Sequence, residues 1–378
     1  MSKNIKNINE ARRDFLKTAG ILSAALLAQP LLNKAEAKIF KDDKLITQYR
    51  TLGTGSAAMK VTALGFGCMG MNYNRGMAKN ENEMIRLLHK CVDYGVNLYD
   101  TGEVYGPHIN EELVGKGLHK YKNIYVTTKF GHKIIDGKYY YGELDSTPKQ
   151  IRKVCEGSLK RLRRDVIDMF YQHRFDPAVP IEDVAGAVKE LIQEGKVRHF
   201  GLCEVSPEII RKAHKVQPIT AIQSEYHLMW QGPEKNIFPT LEELGIGFVP
   251  YSPLNRGYLA GFMNENTKFY EANDNRHTLP RFTPEAMKKN YVIIETMKEF
   301  GVNKGATPAQ VALAWLLHKK PYIVPIPGTT VESHLKENLA AVNLKWSDKE
   351  WSDFEEKISK IEIFGDRYNA TQQKQVSN

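Results

Sequence analysis

Short apolar runs and amphipathic segments alternate along this chain from residue 64 to residue 327. The extended runs are residues 64–68, 96–100, 124–129, 167–173, 197–203, 221–224, 247–251 and 323–327. Their length and their β-branched and aromatic content predict strands. Between them, apolar residues recur at helical spacing over 83–94, 111–118, 148–162, 181–194, 207–216, 241–244 with its flanks, and 308–318. Ser206-Pro207 and Thr307-Pro308 place a capping side chain ahead of a proline at the first helical position, and Gly95, Gly195 and Gly245 close helices. Strands that alternate with helices predict a parallel sheet, and eight strands are the number that closes a (β/α)8 TIM barrel. Residues 49–62 read as an N-terminal β-hairpin around a glycine-containing turn.

One motif points to a different α/β architecture. Gly65-Phe66-Gly67-Cys68-Met69-Gly70 matches the GxGxxG dinucleotide fingerprint of an open, doubly wound sheet. Its context does not fit, because residues 71–80 are rich in Asn and Gly and open no helix. Asp100 also lies about ten residues beyond the place of the ribose-binding acid. The motif is therefore read as a strand entering a loop. A long insert, residues 255–290, falls on the face where the strands end, where long loops serve function. The polar tail, residues 365–378, is expected to lie on the surface.

Strand ends also carry the candidate chemistry. Asp100, Lys129 and His173 each close an apolar run, and Tyr105 lies in the loop just past the first of them. In a barrel of parallel strands those ends converge on one face. A tyrosine beside a lysine, with a carboxylate and a histidine nearby, suits proton transfer to a carbonyl oxygen, the work of an oxidoreductase.

Charge and cysteine usage exclude other classes. The formal charge is +9 over 378 residues, with the basic residues spread along the chain, so nucleic-acid binding has no support. Four scattered cysteines (Cys68, Cys91, Cys155, Cys203) form no CxxC, which predicts buried free thiols. The eleven histidines include no HExxH and no Cys/His cluster, so no metal is expected. The N-terminus reads as a targeting segment. Arg12-Arg13-Asp14-Phe15-Leu16-Lys17 precedes an apolar stretch at 19–32, and Ala35-Glu36-Ala37 offers a small-x-small cleavage site. This order predicts a twin-arginine signal peptide at 1–37, export by the twin-arginine machinery, and a periplasmic mature domain at 38–378. Cleavage lowers the formal charge to +6. The apolar stretch is too short and interrupted for a span of about 20 residues, so no stable membrane span is expected after cleavage.

Several segments together resemble the aldo-keto reductase family over most of residues 45–368. They are Gly95-Val96-Asn97-Leu98-Tyr99-Asp100-Thr101-Gly102-Glu103-Val104-Tyr105-Gly106, Thr128-Lys129-Phe130-Gly131, Tyr171-Gln172-His173-Arg174, Gly201-Leu202-Cys203-Glu204, Gln223-Ser224-Glu225-Tyr226, Tyr251-Ser252-Pro253-Leu254-Asn255-Arg256-Gly257, Ile326-Pro327-Gly328-Thr329 and Glu337-Asn338. The resemblance implies a nicotinamide-dependent enzyme that reduces an aldehyde or ketone, or oxidises an alcohol or sugar. Tyr105 would be the proton donor, and Lys129 would lower its pKa from about 10. Asp100 would hold Lys129, and His173 would orient the carbonyl.

The same resemblance implies that Tyr251 stacks on the nicotinamide and that Gln223 and Cys203 lie by its carboxamide. Ser252, Leu254 and Arg256 would follow the pyrophosphate, Gly328, Thr329 and His334 the 2′-phosphate, and Glu337 and Asn338 the adenine. Cys203 stands where the family commonly has Ser. Thr329 and His334 are weaker phosphate ligands than an arginine, so NADP(H) is expected and NAD(H) is the alternative. Residues 273–282 and Gly365-Asp366-Arg367-Tyr368 resemble a bacterial branch of varied substrates, and Arg276 and Arg281 would suit an anionic or polyhydroxy substrate. The competing reading is a nucleotide-sensing or partner-binding protein on the same fold.

Overall fold

The computed structural model describes residues 44–374 and 376; the twin-arginine motif and the cleavage site lie outside them. Strands β1 (Tyr49–Leu52) and β2 (Met59–Thr62) form the expected antiparallel hairpin. Seven parallel strands follow: β3 (Phe66–Gly67), β4 (Leu98–Asp100), β5 (Tyr125–Phe130), β8 (Ile167–Gln172), β9 (Val197–Cys203), β10 (Ile219–Glu225) and β11 (Gly247–Tyr251), in sheet order β11-β10-β9-β8-β5-β4-β3. Strands β6 (His132–Ile135) and β7 (Lys138–Leu144) pair as a separate hairpin beyond β5, which the sequence reading did not anticipate.

The eighth run closes the ring without forming a regular strand. On one side Val324 N donates to Phe248 O (2.9 Å) and Ile326 N to Pro250 O (3.2 Å). On the other, Gly65 N donates to Pro325 O (2.9 Å) and Gly67 N to Pro327 O (3.2 Å). This seam explains Gly65 and Gly67 of the failed fingerprint. A Cβ on Gly67 would sit 2.9 Å from Ile326 O, and one on Gly328 would sit 2.5 Å from Gly67 O. They let two backbones meet where a side chain would not fit.

Local chemistry sets the helices. Thr147, Ser206 and Thr307 each accept a backbone N–H at the third helical position ahead of a proline, and Thr307 completes a capping box with Gln310. The core has two layers. Helix residues such as Leu88, Val154, Val188 and Leu313 pack on the outside of the sheet. Inside the barrel a separate cluster (Leu98, Met169, Tyr171, Val249, Val324) rests on the hairpin residues Leu52, Met59 and Val61. Thr220 Oγ1 donates to Ala57 O at 2.9 Å, so the hairpin plugs the end where strands begin and leaves the other end open. All four cysteines are free and buried.

The described part of the C-terminal tail lies mostly at the surface as expected, with Arg367 and Tyr368 as the exceptions, and the segment just before it is anchored. Asn290, in the helix Pro284–Gly301, donates to Phe364 O (3.0 Å) and accepts from Phe364 N (2.9 Å). Arg367 and Tyr368 are buried against the open end of the barrel. Polar composition hid this, because an arginine paired inside reads like one in water.

Candidate active site

Strand register brings the first three groups together. Asp100 pairs with Thr127 across β4 and β5, and Lys129 lies two residues on, hence on the same face. Thr127 Oγ1 donates to Asp100 Oδ2 at 2.9 Å and the Lys129 ammonium to Asp100 Oδ1. Gln223 reaches across the barrel from β10 to donate its Nε2 to Asp100 Oδ2 at 2.9 Å. Lys129 Nζ also donates to Thr101 O at 2.6 Å and lies 5.0 Å from the centroid of the Tyr105 ring. His173, one residue past β8, meets the Tyr105 ring edge-on at 5.7 Å. The four predicted catalytic residues thus share one chamber, three of them buried and His173 half-buried.

Their charges follow from burial and neighbours. Burial works against the Lys129 ammonium, but Asp100 and the Tyr105 phenol together hold its pKa above the ordinary value, so it stays charged. Burial pushes the Tyr105 phenol above its ordinary value; Lys129 pulls the other way and Asp100 adds to the rise. Lys129 does lower Tyr105, as expected, yet desolvation outweighs it in this chamber. His173 is held well below the ordinary histidine range by burial first, then by His132, Arg174 and Lys129. It is therefore a neutral imidazole at pH 7. His132, from the β6–β7 hairpin, stacks edge-on at 4.8 Å from His173.

A cavity of about 490 Å³ runs from Asp100, Tyr105 and His173 past Cys203, Gln223, Tyr251, Ser252 and Leu254 to Gly328, Thr329 and His334. Tyr251 is fixed by its hydroxyl, which donates to Glu204 Oε1 at 2.8 Å and also meets the Tyr368 hydroxyl. Glu204 is in turn gripped by the guanidinium fork of Arg367, Nη1 donating to Oε1 at 3.1 Å and Nη2 to Oε2 at 2.9 Å. Burial pushes the Cys203 thiol up to about 12, so it stays protonated. The turn after β11 holds Ser252, Asn255 and Arg256 at positive φ (50°, 43° and 54°), a backbone that non-glycine residues rarely adopt away from functional loops.

Three further residues expected at the cofactor have side-chain partners of their own or lie beside the cavity. Arg256 lines the cavity, but both terminal nitrogens are committed to Glu225 (2.9 Å each). Glu337 accepts from Thr307 Oγ1 at 2.6 Å, one turn along the helix Glu332–Ala340 from the cavity-lining His334, and the buried Asn338 follows it. Sequence reasoning missed Arg75 and Arg174 as cavity residues, and missed the grip of Arg367 on Glu204, 163 positions apart. Their only sequence signal was membership of the quoted motifs or of a glycine-rich loop. Among the described residues, no group of three or more His, Cys, Asp and Glu side chains is arranged to hold a metal ion. No helix among them is long and apolar enough to cross a membrane.

A model of the aldo/keto reductase family matches residues 63–359. A soybean (Glycine max) protein described as a probable aldo-keto reductase is 40% identical over 324 residues, covering 85% of this chain and 92% of its own. Among solved structures, a glycerol dehydrogenase from Gluconobacter oxydans superposes with a TM-score of 0.75 at 27% identity, covering 82% of this chain and 96% of its own. An aldo-keto reductase from Bacillus halodurans, in its holo form, superposes with a TM-score of 0.65 at 25% identity, covering 85% and 99%.

Proposed function

Because the chain belongs to the aldo/keto reductase family, we propose that it is an exported, NADP(H)-preferring carbonyl reductase in which Tyr105 delivers the proton. The carrying observation is the buried chain of contacts from Asp100 through Lys129 to the Tyr105 ring, with a neutral His173 on its edge. The nicotinamide dinucleotide, when bound, supplies the hydride to the carbonyl carbon.

The residues of this chain do the rest. Tyr105 donates its proton to the carbonyl oxygen, and the charged Lys129 stabilises the phenolate left behind. Asp100 keeps Lys129 charged and in place. His173 donates a hydrogen bond that orients the carbonyl. The cavity fits the dinucleotide, since Tyr251 lines it with its hydroxyl already engaged and Gln223, anchored by its amide to Asp100, lines it beside the reacting centre. Ser252 and Leu254 would lie along the pyrophosphate, and Thr329 and His334 at a 2′-phosphate. Arg256 serves this reading as the brace of its own loop through Glu225.

Arg12-Arg13 and Ala35-Glu36-Ala37 support the twin-arginine machinery as export partner, cleavage after Ala37 and a periplasmic location for the domain at 38–378. That route carries folded proteins, so the dinucleotide would travel with the barrel. The test is to recover the protein after native export, sequence its N-terminus and identify any bound nucleotide by mass spectrometry. A start at Lys38 with NADP(H) bound supports the reading. An uncleaved cytoplasmic chain contradicts the export part, and NAD(H) in place of NADP(H) contradicts the preference. Reduced dinucleotide that stays bound but is oxidised by no aldehyde or ketone would favour the sensor reading.

A further inference from the structure

Four guanidinium groups line the cavity: Arg75, Arg174, Arg256 and Arg276. Two are neutralised in place, Arg256 by Glu225 and Arg276 by Asp274. The other two have no carboxylate of a described residue within 4.0 Å. Arg174 Nη1 donates only to the neighbouring His173 carbonyl, at 2.7 Å. Arg75 Nη1 donates to Asn275 Oδ1, at 2.8 Å, and to the Asn74 carbonyl. Both are half-buried, and a half-buried guanidinium whose hydrogen bonds go to neutral acceptors is favoured by a counter-charge that arrives with a ligand.

The two unpaired cations occupy different surroundings. Arg75 feels the charges of Arg256, Arg276 and Asp274, in the loop region that follows β11, and more weakly that of Tyr105, while its Nη1 is taken by Asn275 and the Asn74 carbonyl. Arg174 follows the catalytic histidine directly, and the groups whose charge acts on it are Tyr368, Tyr251, Glu204 and Cys203. It also acts on His132 and Tyr139 of the β6–β7 hairpin. Arg174 lines the cavity together with Tyr105, His173 and Tyr251, held to the His173 carbonyl, while His132 of the β6–β7 hairpin packs on the His173 ring at 4.8 Å; this is the part of the chamber where the body of a carbonyl substrate would lie. Its planar fork matches the two oxygens of a carboxylate.

Resting on the carbonyl-reductase reading, we propose that the substrate of this enzyme is an oxo acid, an aldehyde or ketone with a carboxylate elsewhere in the molecule, and that Arg174 binds that carboxylate while Tyr105 and His173 engage the carbonyl. The carboxylate is unchanged by the reaction. Hydride still goes to the carbonyl carbon and the Tyr105 proton to its oxygen. Arg174 would be a specificity-determining residue.

The test uses the full chain with NADPH and two matched pairs: 4-formylbenzoate with its methyl ester, and 4-oxobutanoate with its methyl ester. The readout is the ratio of kcat/KM for acid over ester, together with the dinucleotide Kd. The wild type should favour the acid by roughly 10- to 100-fold, the range expected for one charged hydrogen-bonded contact. Arg174→Gln should bring that ratio close to one, whatever change the two substrates share, and Arg174→Lys should keep part of it. A purely structural Arg174 would slow acid and ester alike and leave the ratio intact, which overturns the inference. So does a ratio that persists in Arg174→Gln, or a loss of dinucleotide affinity that matches the lost acid rate, since the anion at Arg174 would then be a cofactor phosphate. Turnover of both pairs without acid preference in the wild type overturns this inference alone. Turnover of no carbonyl at all overturns the reading beneath it.

Discussion

Tyr105 is held between two opposed influences, and the balance sets its pH behaviour. Desolvation keeps the phenol above its ordinary value of about 10, while Lys129 pulls it down. Reduction needs the protonated phenol, so its rate should stay level through neutrality and fall only as pH rises past that raised value. Oxidation needs the phenolate and should climb toward alkaline pH. Lys129→Met removes the opposing cation, so the alkaline limb should move further up and the reduction rate at pH 7 drop by at least about tenfold, one unit of pKa being about 1.4 kcal/mol. On the acid side, a neutral His173 predicts no limb near pH 6.5; steady-state profiles from pH 5 to 11 check both edges. These four residues were legible in the sequence because each ends an apolar run or follows one, and strand ends converge. Arg75 and Arg174 were not legible as unpaired cations, because a missing carboxylate is a fact of tertiary structure.

Element boundaries depend on close backbone approaches that only glycine permits. A Cβ on Gly201 in β9 would sit 2.3 Å from the Tyr171 ring in β8 and 2.9 Å from Ala221 O in β10. Gly201→Ala should therefore overpack the barrel and destabilise the fold by about 1–3 kcal/mol, measured by urea denaturation. The tail is the other element with an unexpected task. Arg367 holds Glu204, which holds Tyr251, so Arg367→Ala should loosen the tyrosine assigned to the nicotinamide. The prediction is a rise of at least about tenfold in dinucleotide Kd and a loss of roughly 3–5 kcal/mol in stability, as for other broken buried pairs. Seven strands and most helices were readable from the apolar pattern and the Ser/Thr-Pro caps. The β6–β7 hairpin was not, since Lys138–Leu144 is mostly exposed and carries no apolar alternation. The eighth run was read as a strand and does close the ring, although its prolines at 325 and 327 leave too few N–H donors for a regular ladder.

For the whole molecule, acid should be the weak side. Burial holds His132 down at about 3 and, with smaller opposing pulls from Glu225, His227 at about 4. Both folded values lie below the unfolded value of about 6.5, so the unfolded chain takes up protons first and stability falls as pH drops below that value. His132→Gln should shift the acid-unfolding midpoint downward, followed by circular dichroism. The barrel was legible as a whole because eight alternations admit few parallel closures; what fills its mouth was not, because loops set that shape. The claim that joins these scales is that a dinucleotide-loaded barrel reduces a carbonyl with the Tyr105 proton, and the most direct measurement is carbonyl-dependent oxidation of NADPH at 340 nm by wild type and Tyr105→Phe, alongside dinucleotide affinity by fluorescence. The account predicts a rate loss of roughly 10²–10⁴-fold with dinucleotide affinity kept. Undiminished turnover in Tyr105→Phe would contradict it.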